Sequence, residues 1–136
     1  MEILVIDAQG GGIGRQLIIG LKAIKPDIKI TAVGTNTLAT SAMLKAGADQ
    51  GATGENAVVV CASRADIIIG PIGIVIADSM LGEVTAKMAH AVGSSRAKRI
   101  LIPFQNCNTW IAGIDEVNTK KLMDSAINAI VSMIEQ

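Results

Sequence analysis

The sequence of 136 residues contains almost no aromatic side chains and a single histidine. Tyr is absent, and Phe104 and Trp110 are the only aromatic residues. A Tyr–Lys proton relay is therefore excluded, and one chain cannot build a site with two or more histidine ligands. Acidic and basic residues balance at 12 each, and no basic block is present. Without basic blocks or stacking aromatics, the composition argues against a nucleic-acid partner.

Cysteines and long hydrophobic runs are also scarce. Cys61 and Cys107 form neither a metal-binding spacing nor a Cys-x-x-Cys motif. The chain passes from Met1 and Glu2 directly into an apolar strand with no visible targeting segment, so two cysteines predict a reducing, cytoplasmic location. The longest apolar run, residues 67–77, is too short to cross a bilayer and predicts core instead.

What the sequence does contain is mostly Ile, Ala and Gly, which occur 21, 19 and 14 times. Half of the residues are apolar, which is enough for one core, and we expect residues 1–136 to form a single domain. Few charges remain to cover so much apolar surface. We therefore expect part of the surface to meet a partner, most simply a second copy in a homodimer.

Hydrophobic periodicity predicts alternating strands and helices joined by short loops. The pattern is typical of an α/β protein, specifically a Rossmann-like three-layer α/β/α fold with a mainly parallel sheet of four to six strands. Predicted strands cover residues 2–7, 28–33, 66–70 and 98–104, with a shorter one at 108–114; predicted helices cover residues 15–25, 38–46, 55–64, 83–92 and 119–135.

Two segments allow either a helix or a strand. Residues 57–62 include three consecutive valines, which favour a strand, but Thr53 could cap a helix, and we favour the helix. Residues 72–77 are apolar, and Pro71 suits the first position of a short helix that Gly82 would end. The segment of residues 48–56 is expected to fold over the edge where the parallel strands end.

The strongest functional signal is the glycine loop that follows the first strand. Gly10, Gly11, Gly12 and Gly14 leave backbone N–H groups bare and lead into a helix whose N-terminus is partially positive. The loop predicts binding of a pyrophosphate or another anion, because both features attract negative charge. A tight strand–helix turn without a ligand is the alternative.

Two further loops should lie at the same edge, since ligands of parallel sheets bind outside the carboxyl ends of the strands. Asn36 follows the second strand and is a candidate for contacting a sugar or base, or simply for capping the next helix. No carboxylate for the ribose of NAD and no Arg for a 2′-phosphate follows this strand, which weakens the hypothesis of a dinucleotide. The cofactor stays unidentified, with NAD(P) or a mononucleotide as candidates. Gly70 and Gly73 are candidates for the opposite wall, and helix initiation is their alternative.

For the other reactive side chains, the sequence favours structural roles over catalytic ones. Asp78, Ser79 and Glu83 are interpreted as caps and a solvated helix end rather than as an acid–base pair. Cys107 just after a strand is a weak candidate nucleophile, with a half-buried, inert thiol as the favoured alternative. His90, the only histidine, is expected on the surface or at a subunit contact.

Several blocks together resemble a family of small bacterial proteins described only as a domain of unknown function. They are Val5-Ile6-Asp7-Ala8-Gln9-Gly10-Gly11-Gly12-Ile13-Gly14, Gly34-Thr35-Asn36 with Ala39-Thr40-Ser41-Ala42-Met43-Leu44-Lys45-Ala46-Gly47-Ala48, Gly51-Ala52-Thr53-Gly54-Glu55-Asn56, Gly70-Pro71-Ile72-Gly73-Ile74, Asp78-Ser79-Met80-Leu81-Gly82-Glu83, and Ile102-Pro103 with Cys107-Asn108. The resemblance implies a relationship and no activity. The Gly12-Ile13-Gly14 end is similar to short-chain dehydrogenases, and the loop arrangement has a weaker similarity to tubulin-like GTPases.

Three functions remain open at this point. The first is a domain that binds a nucleotide, a dinucleotide or another phosphorylated small molecule through the glycine loop. The second is a non-enzymatic, homo-oligomeric structural or regulatory module whose glycine loops are only turns. The third is an enzyme that depends on Cys107. The sequence predicts no metal site and does not decide whether the protein is an enzyme.

Overall fold

Parallel strands and the helices between them make up most of the chain in the computed structural model, which describes residues 1–103, 108–114 and 118–136. The strands are β1 (Ile3–Asp7), β2 (Ile30–Gly34), β3 (Gln50–Thr53), β4 (Ile67–Pro71) and β5 (Lys98–Ile102); the helices are α1 (Gly12–Ile24), α2 (Thr37–Lys45), α3 (Glu55–Arg64), α4 (Ala86–Gly93) and α5 (Thr119–Ile134). The predicted Rossmann-like α/β/α architecture is confirmed.

The sheet has the order β3-β2-β1-β4-β5, and every neighbouring pair is parallel. Strand β1 lies at the centre, where Ile3 is in register with Ile30 on one side and with Ile67 on the other. The chain builds outward from β1 through β2 to β3 and then returns to place β4 beside β1. A crevice therefore opens between β1 and β4 at their carboxyl ends, which is where open α/β sheets bind ligands.

The side chains of β1 alternate between two hydrophobic cores. Ile3 and Val5 pack with α1, α2 and α5, whereas Leu4 and Ile6 pack with α3 and α4. Both faces of the sheet are covered, which explains why the central strands are continuous apolar runs. Helix α5 packs one face against the sheet: Met123, Ala126, Ile127 and Ile130 are buried, and Leu122 and Ile134 are partly buried.

The segment after β4 differs from the predicted helix. Pro71 ends β4, and a single 3-10 turn follows at Ile72–Val75. The backbone φ angle is then positive at four of the five residues from Asp78 to Gly82. A right-handed helix requires negative φ, so these residues form a chain of turns instead. Helix α4 consequently begins at Ala86, not at the predicted residue 83.

Two further expectations about strands were wrong. Residues 50–53 form the edge strand β3, whereas the sequence indicated a loop over the ligand edge; β3 is short and mostly exposed, so it has no apolar run to reveal it. Residues 108–114 form no strand, because Gly113 has a positive φ and the N–H of Ile114 donates to the carbonyl of Ile111 in a turn. Trp110 in this segment is 79% exposed. The predicted end of the preceding strand, residue 104, lies outside the described residues.

Helix α3 occupies the residues that the sequence predicted for it, so the helical alternative for the valine-rich segment is confirmed. In the described parts of the chain, no helix is long and apolar enough to cross a membrane.

Candidate functional site

A cavity of about 520 Å³ lies at the crevice between the carboxyl ends of β1 and β4. The loop after β1 forms its floor, and Pro71 with Met80 and Leu81 forms one wall. Thr119 and Met123 of α5 contribute the other side. The N-termini of α1 and α5 both reach this space, and most of its side chains are apolar.

Asp7 is the one acidic side chain among the described residues that line the cavity. Asp7 as a residue is 4% exposed, and its carboxylate accepts hydrogen bonds from the N–H groups of Ala8 at 2.8 Å and Gly14 at 2.7 Å. Burial raises the pKa of Asp7, and the nearby Glu83 adds to the rise, while the backbone N–H bonds oppose it. Asp7 therefore already occupies part of the positive end of α1.

The glycine loop retains two N–H groups that no described residue accepts. The N–H of Gly11 donates to the carbonyl of Ala8 at 3.0 Å. In contrast, no hydrogen bond to the N–H of Gly10 or Gly12 is present within residues 1–103, 108–114 and 118–136. Both glycines are exposed and line the cavity, and an added Cβ would meet nothing within 4 Å at either position. Within the glycine loop, these two N–H groups are the donors that no described residue accepts.

Gly11 and Gly14 serve packing. Gly11 has a φ of 72°, and a Cβ there would lie 2.9 Å from the backbone of Ala39 in α2. At Gly14 a Cβ would lie 2.5 Å from the sulfur of Met43 and 3.1 Å from Cβ of Asp7. The N–H of Gly14 is bonded to Asp7, and the residue does not line the cavity. Gly14 brings α1 close to the sheet rather than facing a ligand.

Asn36 holds the loop after β2 in place. The Oδ1 atom of Asn36 caps α2 by accepting from the N–H of Ala39 at 2.9 Å. The Nδ2 atom donates to the carbonyl of Gln9 at 2.9 Å and to Glu83 Oε1 at 2.8 Å. Asn36 does not line the cavity, and its polar atoms have protein partners, so it supports the glycine loop from behind.

Glu83 connects three of the loops at this edge. Its Oε1 accepts from the N–H of Gln9 at 2.8 Å, from Thr35 Oγ1 at 2.7 Å and from Asn36. These bonds, led by the one from Gln9, lower the pKa of Glu83. The sequence interpretation of Glu83 as a solvated helix end missed this role. The position of Glu83 beside a glycine in the segment after β4 was only a weak sign of this role. Its hydrogen-bond partners are 47 or more positions away in the sequence, so no local pattern revealed them.

The second predicted wall is built differently. Gly70 and Gly73 are buried and do not line the cavity. A Cβ on Gly70 would lie 2.3 Å from the carbonyl oxygen of Ile6, so this glycine permits the close pairing of β4 with β1. The carbonyl of Gly73 accepts from Ser79 Oγ at 2.6 Å. Pro71, with Met80 and Leu81, lines the cavity in their place.

The remaining reactive residues lie apart from this cavity or outside the described residues. His90 is exposed on α4, as expected. Cys61 is partly buried in α3, and burial raises the pKa of its thiol. Cys107 is outside the described residues, so the nucleophile hypothesis stays a hypothesis. Among the described residues, no group of three or more His, Cys, Asp or Glu side chains could hold a metal ion.

The order of the strands defines a Rossmann-like protein with a cavity at the switch point of its sheet. The chain belongs to the family named Domain of unknown function (DUF3842), whose model matches residues 2–135. The resemblance drawn from the sequence blocks is thereby confirmed. A search of curated proteins finds no match.

One similar solved structure is a dodecameric FMN-dependent UbiX-like decarboxylase from Escherichia coli O157:H7. The TM-score is 0.53 and the sequence identity 15%, and the alignment covers 100% of this chain and 96% of that one. At this identity the similarity supports the α/β fold and carries no residue roles.

Proposed function

We propose that this protein binds a phosphorylated small molecule, a nucleotide or flavin nucleotide, in the cavity between β1 and β4. The observation that carries the proposal is the pair of unbonded N–H groups, on Gly10 and Gly12, that line the cavity at the start of α1. Backbone donors at a helix N-terminus are suited to phosphate. Because Asp7 occupies the inner donors, the phosphate would lie towards Gly10 and Gly12.

The rest of the cavity suits the ring system of such a ligand. Ile13, Pro71 and Met80 provide apolar surface, as do Leu81 and Met123. The volume of about 520 Å³ falls in the range of small-molecule sites, roughly 300–1,000 Å³. The solved structure with a similar fold is described as FMN-dependent, which makes FMN a reasonable first compound to test.

The experiment measures binding of FMN, NAD(P), ATP, GTP and coenzyme A by native mass spectrometry and by thermal shift. The diagnostic variant is Gly12→Asp, which places a carboxylate in the first turn of α1. A carboxylate there favours the helix but repels phosphate, so binding should weaken at least about tenfold with no loss of stability. Asn128→Asp, an exposed change of equal charge in α5, is the matched control and should bind normally.

Two results would count against this function. One is the absence of binding by any of these compounds, which would favour the alternative of a module with structural glycine turns. The other is equal binding by Gly12→Asp and by the unmodified protein, which would place the ligand elsewhere.

We also propose that the protein is cytoplasmic and self-associates, most simply as a homodimer. Ile19 and Ile24 of α1 and Leu38 and Leu44 of α2 are 42–67% exposed, and both helices cover the same face of the sheet. Apolar side chains exposed on neighbouring helices support a contact with a second copy. The neutral charge and sparse aromatics continue to favour a small-molecule ligand over nucleic acid.

A further inference from the structure

A second cavity, of about 390 Å³, opens between α3 and α4. Both helices run antiparallel to the strands, and residues at their C-terminal ends, Ser63 and Ser94, line the cavity. The cavity therefore reaches the amino edge of the sheet, and it shares no lining residue with the glycine-loop cavity. Its polar lining consists of Lys87, His90 and Arg96 together with three serines, and none of its lining residues is acidic. We call it the basic groove.

The charge of the basic groove is not neutralised by its surroundings. Residues 84–114 contain no Asp or Glu, but they include Lys87, Arg96, Lys98 and Arg99. Within the described ranges, the ion pairs of the protein involve other residues, and neither Lys87 nor Arg96 pairs with a carboxylate. Two full positive charges therefore face an opening with no internal anion.

The turn that carries Arg96 is fixed by hydrogen bonds on both sides. Ser95 Oγ donates to the carbonyl of Ala62 in α3 at 2.7 Å and accepts from the N–H of Ala97 at 3.1 Å. Arg99 Nη1 donates to the carbonyls of Ser95 at 2.6 Å and Ala97 at 3.3 Å. These bonds hold the backbone of the turn that carries Arg96, which reduces the entropy lost when that residue binds a ligand.

The ends of α3 and α4 reduce this positive charge without cancelling it. A helix C-terminus carries about half a negative charge. A Lys or Arg beside such an end can therefore be partly neutralised by the helix itself. Arg96 follows the C-terminus of α4 and opposes its charge, whereas Lys87 lies in the first turn of α4, away from these ends. The carbonyl of His90 is further satisfied by the N–H and hydroxyl of Ser94. The remaining charge of the groove is positive, because Lys87 and Arg96 line it and no acidic residue does.

We propose that the basic groove binds the phosphate-type oxyanion of a small molecule, at a site separate from the glycine-loop cavity. Lys and Arg donate charge-assisted hydrogen bonds to such oxygens, and imidazole and serine hydroxyls provide further donors. The size of the groove fits a pyrophosphate or a small phosphorylated metabolite, since small-molecule pockets begin at about 300 Å³.

The single histidine makes the proposal directly measurable. The ring signals of His90 need no assignment in a proton NMR spectrum, because the chain has no other imidazole. Pyrophosphate titrated at constant ionic strength and pH should shift these signals saturably. In Arg96→Gln and Lys87→Gln the apparent dissociation constant should rise about fivefold. Lys45→Gln, an exposed change of equal charge on α2, is the control and should titrate as the unmodified protein does.

Specific outcomes would overturn the basic groove as an oxyanion site. These are a His90 shift that does not saturate, a shift reproduced by sodium chloride, or an unchanged titration in Arg96→Gln. Tighter binding of a poly-glutamate peptide than of pyrophosphate would assign the groove to an acidic protein segment. The Gly12→Asp variant should leave the His90 titration unchanged, so failure at one site is separable from failure at the other.

Discussion

At the scale of single residues, the four glycines of the loop after β1 have different tasks. Gly10 and Gly12 leave open space and have N–H groups that no described residue accepts, whereas Gly11 and Gly14 let α2 and α1 approach closely. The sequence located the loop, because glycines between an apolar strand and a helix are recognisable. It could not assign the tasks, since these depend on where Asp7 and the residues of α2 lie in three dimensions.

Gly70 should be the most sensitive of the glycines tested by alanine. In Gly70→Ala the new methyl would lie 2.3 Å from the carbonyl oxygen of Ile6, a backbone atom that cannot move without disturbing the sheet. We expect a loss of about 3 kcal/mol or more in the free energy of unfolding. Urea unfolding followed by far-ultraviolet circular dichroism measures this loss.

Gly93→Ala is the matched control for Gly70→Ala. Gly93 is exposed at the end of α4, and a Cβ there meets nothing within 4 Å. The variant should have the stability of the unmodified protein or exceed it by up to about 1 kcal/mol, since alanine favours the helix. Equal stabilities of the two variants would contradict the close approach of β4 to β1.

At the scale of elements, hydrophobic periodicity predicted the helices and strands whose formation depends on their own sequence. Helices α1, α2, α3 and α5 and strands β1, β2, β4 and β5 were found within a few residues of their bounds. Strand β3 was missed because its pairing with β2, and not its own hydrophobicity, makes it a strand. The turns at residues 78–82 were missed because two of their positive φ angles occur at Met80 and Leu81, residue types that rarely adopt this conformation.

The N-cap of α2 should stabilise the protein more than the N-cap of α5. Asn118 in α5 makes a single cap bond, to the N–H of Lys121 at 3.2 Å, and Asn118→Ala should cost about 1 kcal/mol. Asn36→Ala removes a cap and also the bonds to Gln9 and to the Glu83 carboxylate. We expect a loss of about 2–3 kcal/mol for Asn36→Ala in urea unfolding. Equal losses would mean that the Glu83 connection adds no stability.

At the scale of the whole molecule, the sequence predicted the class of fold. It predicted only some of the residues that form the candidate site. Alternating strands and helices imply a parallel sheet, and a parallel sheet places its loops at one edge. The glycine loop was therefore located correctly at the crevice. The contributions of Thr119 and Glu83 were not predicted, because they depend on contacts between residues more than forty positions apart.

Self-association should depend on the exposed leucines of α2. Leu38→Glu combined with Leu44→Glu places two charges on this face and should shift sedimentation velocity profiles from dimer to monomer. Ser41→Glu combined with Lys45→Glu changes exposed polar positions of the same helix, and we expect it to remain dimeric. A monomer in the unmodified protein, or a dimer that survives both pairs of changes, would exclude this face as the contact.

The exposure of Trp110 determines how this protein can be observed. Its indole is the dominant intrinsic fluorophore, since tyrosine is absent, and it already lies in water in the folded state. Denaturation would move it from one aqueous environment to another, so tryptophan emission should barely register the melting of the core. The exposure of the indole is nevertheless useful for detecting binding. Any molecule that settles over residues 108–114 would dehydrate the indole and shift its emission to the blue, which provides a label-free optical signal for contact at that surface.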